Sequence, residues 1–242
     1  MIRHIFLISV LCLLLGGLFA EGQAGVIYVD PELWWTCVDG ISWIDVMAGT
    51  QIDSVHSYAC LMYVDPSKVS LDSVARGTIL DTIFGQHDTV WFGWEYDNHF
   101  PDSLYFGASI FGYGAYVNGP GQLGRIWFKG KQEGETPVTF GWAILRDPYH
   151  PSGPGMEVII LTGKIVVLGA GFRFGDANSD STIDIGDIVY LINYLFKNGP
   201  DALPWWFVGD ANCDKSTDVS DVVYLINYLF KNGPEPCYPC GS

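Results

Sequence analysis

Residues 176–187 read DANSDSTIDIGD, and residues 210–221 read DANCDKSTDVSD, so one twelve-residue pattern occurs twice in the chain. The identical string VYLINYLFKNGP follows each copy, at 189–200 and at 223–234. Oxygen-bearing side chains recur at pattern positions 1, 3, 5, 9 and 12, directly before a helical pattern. A hard cation that prefers oxygen ligands requires this arrangement. Its repetition in register makes the prediction of a cation site far more specific than one copy would.

Calcium is the cation that these loops fit best, because it takes about six to eight oxygen ligands in a flexible shell. Magnesium fits poorly, since it demands a rigid octahedron and keeps its waters. An acidic turn that caps a helix is the alternative interpretation. The predicted ligands of two Ca²⁺ ions are Asp176, Asn178, Asp180, Thr182, Asp184 and Asp187 in the first loop, and Asp210, Asn212, Asp214, Ser216, Asp218 and Asp221 in the second.

A helix is predicted after each loop, since apolar residues recur there at spacings of three and four. Asn-Gly-Pro ends each helical pattern, so Gly199 and Gly233 are expected to take the left-handed conformation. These apolar residues form one stripe along each helix. A single helix cannot bury its stripe, so we expect the two helices to pack together under residues 204–207. The stripes are Ile188, Leu191, Ile192, Leu195 and Phe196, and Val222, Leu225, Ile226, Leu229 and Phe230.

Residues 174–236 resemble a type I dockerin, the paired calcium-loop module of bacterial cellulosomes and related extracellular assemblies. The resemblance rests on the two loops with Asp at position twelve and on their matched helices. It implies a domain that binds two calcium ions through the ligands above and docks onto a cohesin domain of a partner protein. That partner would belong to an extracellular polysaccharide-degrading or cell-surface complex.

Two departures from the dockerin pattern affect the predicted sites. Ser181 and Lys215 occupy the sixth loop position, where Gly is usual because φ is positive, so each costs on the order of 1 kcal/mol. The charge of Lys215 makes the second site the weaker one. Positions ten and eleven, where dockerins often carry a Ser-Thr pair, hold the predicted partner-binding residues Ile185, Gly186, Val219 and Ser220.

Residues 25–168 carry strand patterns rich in Val, Ile, Tyr, Phe and Trp, separated by turn clusters. This favours an antiparallel β-sandwich of the jelly-roll type. The turn at residues 63–66 and the strand at 121–128 are similar to cohesin elements. The whole chain is therefore predicted to be mainly β with a small α module. Strands are expected at 26–29, 57–64, 89–94, 104–111, 124–128, 138–145 and 158–167.

Aromatic residues around Glu95 and Asp97 raise the question of a sugar-binding cleft, because glycosidases use two carboxylates across such a cleft. We expect no catalysis, since carboxylates beside aromatics are common on sandwich surfaces. A polysaccharide-binding sandwich is the main alternative, and a glycoside hydrolase or accessory domain is the second. Most tryptophans of residues 25–168 are expected to fill the core.

Export is indicated by the first 24 residues, where Arg3 and His4 precede an apolar run and cleavage is expected after Ala20 or Ala24. No second long apolar segment follows, so no membrane span is expected in the mature, secreted or surface-bound chain. A net charge of −15 argues against nucleic acid as a partner. The predicted divisions are 1–24 (signal), 25–168 (sandwich), 169–175 (linker), 176–236 (calcium domain) and 237–242 (tail).

An exported chain can oxidise its cysteines, and five remain after residue 24. Cys37 can pair with Cys60, and Cys213 can pair with either Cys237 or Cys240. The odd number leaves one thiol over or one bridge between chains. The connectivity stays open at the level of sequence.

Overall fold

The computed structural model describes residues 25–85, 89–96, 103–112, 114–149, 155–170 and 172–240. The predicted signal peptide, residues 1–24, lies outside them. The chain forms two compact units. The first comprises the described residues of Met1–Trp35, Ile41–Lys131 and Glu135–Val166, and the second those of Thr36–Gly40, Gln132–Gly134 and Val167–Ser242.

Strands make up most of the first unit, and a short 3-10 helix follows β5 at Thr78–Asp81. Most of the predicted strands are present, with boundaries shifted by a few residues. In chain order the strands are β1 (Gly25–Asp30), β2 (Leu33–Cys37), β3 (Ile41–Ala48), β4 (Ser57–Tyr63), β5 (Val69–Arg76), β6 (Thr89–Tyr96), β7 (Ser103–Phe111), β8 (Gly121–Gly130), β9 (Gly134–Arg146), β10 (Val158–Leu161) and β11 (Gly163–Leu168).

These strands form a five-stranded sheet in the order β10-β1-β3-β8-β5 and a six-stranded sheet in the order β2-β11-β9-β4-β7-β6. β1 pairs with β10 in parallel, whereas β3 and β8 are antiparallel, as are β4 and β7. Alternate residues of a strand face opposite sides, and in β4 Tyr58, Cys60 and Met62 are buried. In β1 of the five-stranded sheet, Ile27 and Val29 are buried in the same alternating way, so each sheet has one face on the core.

The two sheets pack face to face. The Tyr58 hydroxyl of β4 donates a hydrogen bond to the Leu123 carbonyl of β8 at 2.6 Å. Gly124 of β8 leaves room for a ring of β7, because a Cβ there would lie 2.9 Å from Phe106 Cε2. These contacts confirm the predicted sandwich, with the parallel β1–β10 pair as an addition to its antiparallel plan.

Three strands, β2, β3 and β5, are not predicted from the sequence, and β10 and β11 are predicted as one strand. In β3, Asp45 interrupts the apolar pattern, yet it is 9% exposed and bonded to Arg125 at 2.8 and 2.9 Å. Such a cross-strand pair satisfies a polar residue on the outer face of a sheet. At Thr162 the chain leaves the five-stranded sheet and joins the six-stranded one, which divides the predicted strand.

Two helices follow the two predicted loops in the second unit, α1 (Ile185–Lys197) and α2 (Val219–Lys231), and they contact each other. Each begins with a capping box, Asp184 with Asp187 in α1 and Asp218 with Asp221 in α2.

The left-handed residues that end the helices are Asn198 (φ 56°) and Asn232 (φ 52°). The prediction for Gly199 and Gly233 is therefore wrong by one position. Asn tolerates this conformation because its short polar side chain can bond locally.

The core of the second unit contains the central leucines of both helices, since Leu191 and Leu225 are inaccessible to solvent. Phe207, at 1% exposure, lies in a 3-10 helix (Trp206–Gly209) that links α1 to the second loop. Its ring stacks on Trp205 at 5.5 Å. The predicted stripes are too wide, because Phe196 and Phe230 are 67% and 64% exposed.

The cysteines form the pairs Cys37–Cys240 and Cys213–Cys237, and Cys60 is unpaired and buried. The alternative pair Cys37–Cys60 is wrong because Cys60 faces the sandwich core. Of the two partners considered for Cys213, the structure selects Cys237.

Cys60 is expected to resist thiol reagents until the protein unfolds. Burial raises the pKa of its thiol to about 12, and only the thiolate reacts. In a chain that begins at residue 25, maleimide labelling followed by intact mass should detect no label in the native state. One label per chain is expected in denaturant without reductant. Rapid labelling of the native chain would show that Cys60 is accessible.

Candidate cation-binding loops and helix faces

The first loop is ordered by backbone N–H groups that donate to its own carboxylates. Asp176 accepts from the N–H groups of Asp180 and Ser181 at 3.1 and 2.9 Å. Asp180 accepts from Thr182 N–H at 2.9 Å. These bonds fold residues 176–182 into a compact loop that contains the side chains at positions 1 and 5.

The second loop repeats these bonds almost without change. Asp210 accepts from the N–H groups of Asp214 and Lys215 at 3.0 and 2.8 Å. Asp214 accepts from Ser216 N–H at 3.0 Å. The sequence repeat is therefore a structural repeat as well.

Positions four and six of each loop lie in the left-handed region of backbone space. At position six, φ is 71° for Ser181 and 74° for Lys215, as the sequence analysis predicts. At position four, φ is 61° for Ser179 and 58° for Cys213. Residues other than Gly, Asn and Asp seldom adopt this conformation, so both loops hold strained residues that further interactions must stabilise.

The carboxylate at position twelve is the most buried in each loop. Asp187 and Asp221 are inaccessible to solvent. Asp187 accepts from the N–H groups of Asn178 and Asp184 at 3.2 and 2.9 Å. Asp221 accepts from the equivalent groups at 3.3 and 2.8 Å. This residue therefore connects the start of the loop to the first turn of the helix.

Burial and neighbouring negative charges disfavour the ionised form of this carboxylate. Burial, and after it the charges of Asp210 and Asp214, raise the pKa of Asp221 to about 6, although backbone hydrogen bonds act in the opposite direction. The pKa of Asp187 is raised in the same way, with Asp176 and Asp180 as the charged neighbours. A bound cation would reverse this effect, because it favours the charged form.

The donor set of each loop fits calcium by its chemistry. Each loop contributes four Asp carboxylates and one Asn amide, which are hard oxygen donors. Within the described residues, however, no group of three or more His, Cys, Asp or Glu side chains converges as a metal cluster. Carboxylate oxygens that are predicted to bind the cation instead accept hydrogen bonds within the loops and in the capping boxes. The ligand assignment therefore stays a prediction.

The two loops differ at position eleven, which the sequence analysis assigns to partner binding. Ser220 accepts a hydrogen bond from Asn212 Nδ2 at 3.0 Å and donates one to Asp214 at 3.4 Å. Gly186 has no such group, and a Cβ there would lie 2.9 Å from Asp184 Oδ1. Ser220 and Gly186 therefore lie against their loops, and Ser220 supports the geometry of the second one.

Replacing Lys215 with Gly is expected to strengthen cation binding by the second loop. The change removes a positive charge and also relieves the backbone strain of a non-Gly residue at positive φ. The relief of strain alone is worth about 1 kcal/mol, or roughly fivefold in affinity. Ser181→Gly in the first loop is the matched control, because it relieves the backbone without changing charge. Calcium titration calorimetry should show a larger gain for Lys215→Gly. Equal gains would mean that the lysine charge has no effect.

Each helix also exposes an apolar stripe on the side opposite its buried leucine. Residues at i, i+4 and i+11 share one helix face. The exposed stripes consist of Ile185, Val189 and Phe196 on α1, and Val219, Val223 and Phe230 on α2, with exposures between 51% and 67%. Two of the predicted partner-binding residues, Ile185 and Val219, begin these stripes. The remaining residues of the exposed stripes are not predicted as surface residues from the sequence. They are Val189, Val223, Phe196 and Phe230.

The expectation that tryptophans fill the sandwich core is wrong. The buried core contains none of the chain's tryptophans, and Trp91, Trp94 and Trp142 are 49%, 39% and 37% exposed. Trp43 lies on the outer face of β3, where Arg125 sits 3.8 Å from its ring centroid. Of the two carboxylates considered for a sugar-binding cleft, Glu95 is exposed on β6, while Asp97 lies outside the described residues.

A membrane-spanning helix is not found in the described part of the chain. α1 and α2 have 13 residues each, whereas crossing a bilayer takes about 20 apolar residues.

No protein-family model matches the chain, and a comparison with curated proteins finds no match. Solved structures with a similar fold are cohesin modules, which match about 60% of the chain and leave its C-terminal part unmatched. A non-cellulosomal cohesin from the archaeon Archaeoglobus fulgidus has 13% identity and a TM-score of 0.46, with 60% of this chain and 92% of that one covered.

Two bacterial cohesins give similar values. The seventh ScaB type I cohesin from Pseudobacteroides cellulosolvens has 13% identity and a TM-score of 0.48, covering 61% of this chain and 94% of that one. The cohesin module of a Clostridium perfringens family 33 glycoside hydrolase has 10% identity and a TM-score of 0.44, covering 62% and 99%. Identities this low do not transfer function.

Proposed function

We propose that residues 174–236 form a calcium-stabilised, dockerin-like docking module, and that the whole chain is an exported, non-catalytic assembly protein. The module binds two calcium ions, one in each loop. Its partner is a cohesin-like domain of another protein. The described second unit supports this proposal by its repeated loops and helices, since both the cation donors and the exposed apolar residues occur twice.

The observation that carries the proposal is the position of the exposed stripes relative to the loops. Ile185 and Val219 begin the stripes, and each lies two residues before the buried carboxylate of its loop, Asp187 or Asp221. The loop and the stripe therefore share the first turn of one helix. Calcium, when bound, supplies the positive charge that offsets the crowded carboxylates, and the ordered first turn then presents the stripe.

The stripes also indicate the chemistry of the partner. They are apolar, so their receptor must offer apolar side chains that lose water on contact. Lys197 and Lys231 lie in the last turn of each helix, one residue after Phe196 and Phe230. Acidic groups at the rim of the receptor would complement these lysines.

Capture of purified cohesin modules by the full chain tests the proposal. The probes are an array of immobilised cohesins that includes the archaeal, ScaB and Clostridium perfringens modules named above. We expect at least one to retain the chain in calcium and to release it in EDTA. Failure of every cohesin in the array to retain a calcium-loaded, folded chain would count against a cohesin-like partner.

Glycan binding by the six-stranded sheet is a second candidate, favoured by the placement of Trp91. This half-exposed indole lies over Gly93, where a Cβ would be 2.4 Å from Trp91 Cζ2. A flat exposed ring can stack against a sugar. Affinity electrophoresis in gels with xylan or β-glucan should retard the chain, and Trp91→Ala should abolish the retardation. Equal mobility with and without glycan would exclude these sugars.

A further inference from the structure

A tail strap, residues 235–240, lies along the second loop of the second unit. Cys237 N–H donates to the Ala211 carbonyl at 3.0 Å, and Phe174 N–H donates to the Cys237 carbonyl at 3.3 Å. The Tyr224 hydroxyl of α2 donates to the Glu235 carbonyl at 3.1 Å. The strap is thus bonded to the segment before the first loop, to the second loop and to α2.

The Cys213–Cys237 disulfide links this strap to the second loop, within the segment that carries the predicted calcium ligands. Cys213 is the fourth loop residue, and it stands between the predicted ligands Asn212 and Asp214. It is also one of the left-handed residues, at φ 58°. Ser179, its counterpart in the first loop, has φ 61° and no cross-link. The first loop is therefore an internal control for the effect of the disulfide.

A cross-link at this point restricts the conformations of the loop before any cation is bound. Calcium must otherwise order the strained residues at positions four and six, and the cost of that ordering is subtracted from the binding free energy. A disulfide removes part of that cost in advance, because it limits the disordered states of the segment that it closes. The second loop gains more from this restriction than the first would, because the positive charge of Lys215 repels the cation.

We propose that the Cys213–Cys237 disulfide positions the second loop for calcium, so that the cation affinity of this loop, and not of the first, depends on the redox state of the chain. This inference rests on the proposed function. A dithiol such as dithiothreitol supplies the reductant. Its thiolate attacks Sγ of the exposed Cys213, and Cys237 leaves as a thiolate that takes up a proton.

The second thiol of the reagent then closes onto the mixed disulfide, which releases Cys213 as a thiol. Two electrons pass to the protein, and the reagent becomes a cyclic disulfide. A disulfide oxidant such as oxidised glutathione accepts two electrons from the two thiols and is itself reduced to two thiols. This exchange re-forms the Cys213–Cys237 bond and, with it, the affinity of the second loop.

Hydrogen–deuterium exchange with mass spectrometry across a calcium titration tests the proposal, because it reports each loop separately. Peptides from 176–187 and 210–221 give one calcium midpoint per loop. The samples are the full oxidised chain, the same chain after dithiothreitol, a reoxidised sample, and Cys213→Ser with Cys237→Ser. A fifth sample, Cys37→Ser with Cys240→Ser, removes the other disulfide and leaves this one intact.

Reduction or the Cys213→Ser, Cys237→Ser pair should raise the calcium midpoint of the second loop by about tenfold or more, with the first loop unchanged. Reoxidation and the Cys37→Ser, Cys240→Ser control should give the original midpoint. Unchanged midpoints in both loops would overturn the proposal. Loss of protection in both loops would also overturn it, since the disulfide would then hold the module as a whole. Absence of calcium-dependent protection in the oxidised chain would instead refute the proposed function.

Discussion

Removing calcium with EDTA is expected to unfold residues 174–236 while the β-sandwich stays folded. Each loop then holds four carboxylates without a cation, and one of them, Asp187 or Asp221, is inaccessible to solvent. At a calcium concentration about 1,000-fold above Kd, each site stabilises the folded state by ~4 kcal/mol. A module of about 60 residues has little more stability than that to lose.

Far-ultraviolet circular dichroism checks this result, because α1 and α2, the two α-helices among the described residues, both lie in the affected segment. The helical signal should fall in EDTA and return with excess calcium, while magnesium at the same concentration should restore little of it. Exchange protection in β4 and β8 is the control for the sandwich. A helical signal that does not change on chelation would contradict the expectation.

Replacing Val189 and Val223 together with Asp is expected to abolish capture by a cohesin while the module still folds. Both side chains are 51% exposed, so the native state tolerates a charge there. In an apolar interface an unpaired carboxylate loses its hydration, and two of them should weaken binding by more than about 100-fold. Binding is measured with the cohesin that retains the unmodified chain, and folding by circular dichroism in calcium.

The matched control replaces the buried leucines on the opposite side of the same helices. Leu191→Ala and Leu225→Ala should each cost about 2–5 kcal/mol of stability, because both side chains are inaccessible to solvent. These leucine variants should lose helical circular dichroism signal, and any loss of cohesin binding should follow from that unfolding. A Val189→Asp, Val223→Asp protein that still binds with unchanged affinity would place the docking surface elsewhere.

The loop and helix repeat could be predicted in detail because its determinants are local. The apolar spacing of the helices and the positive φ at Ser181 and Lys215 depend on neighbours within a few residues. The one-residue error at Gly199 arises because Asn198 can take the same left-handed conformation, and local sequence does not decide between them. The exposure of Phe196 depends on where the contact between the helices ends, which is a tertiary property.

The parts that sequence could not predict depend on residues far apart in the chain. Asp45 makes β3 look unfavourable until Arg125, 80 residues later, is seen to pair with it. The partner of Cys37 is Cys240, at a separation of 203 residues, and no local pattern favours that pair over Cys60. The tryptophans were expected in the core because they are apolar, but the sandwich core is filled by smaller residues and phenylalanine.

Calcium titration calorimetry of the oxidised full chain, freed of metal beforehand, tests the central claim most directly. Two ions per chain should bind, with the second site weaker than the first, and Asp187→Ala and Asp221→Ala should each remove one of them. Absence of binding at millimolar calcium, or two ions that persist in both variants, would contradict the assignment of the repeated loops as calcium sites.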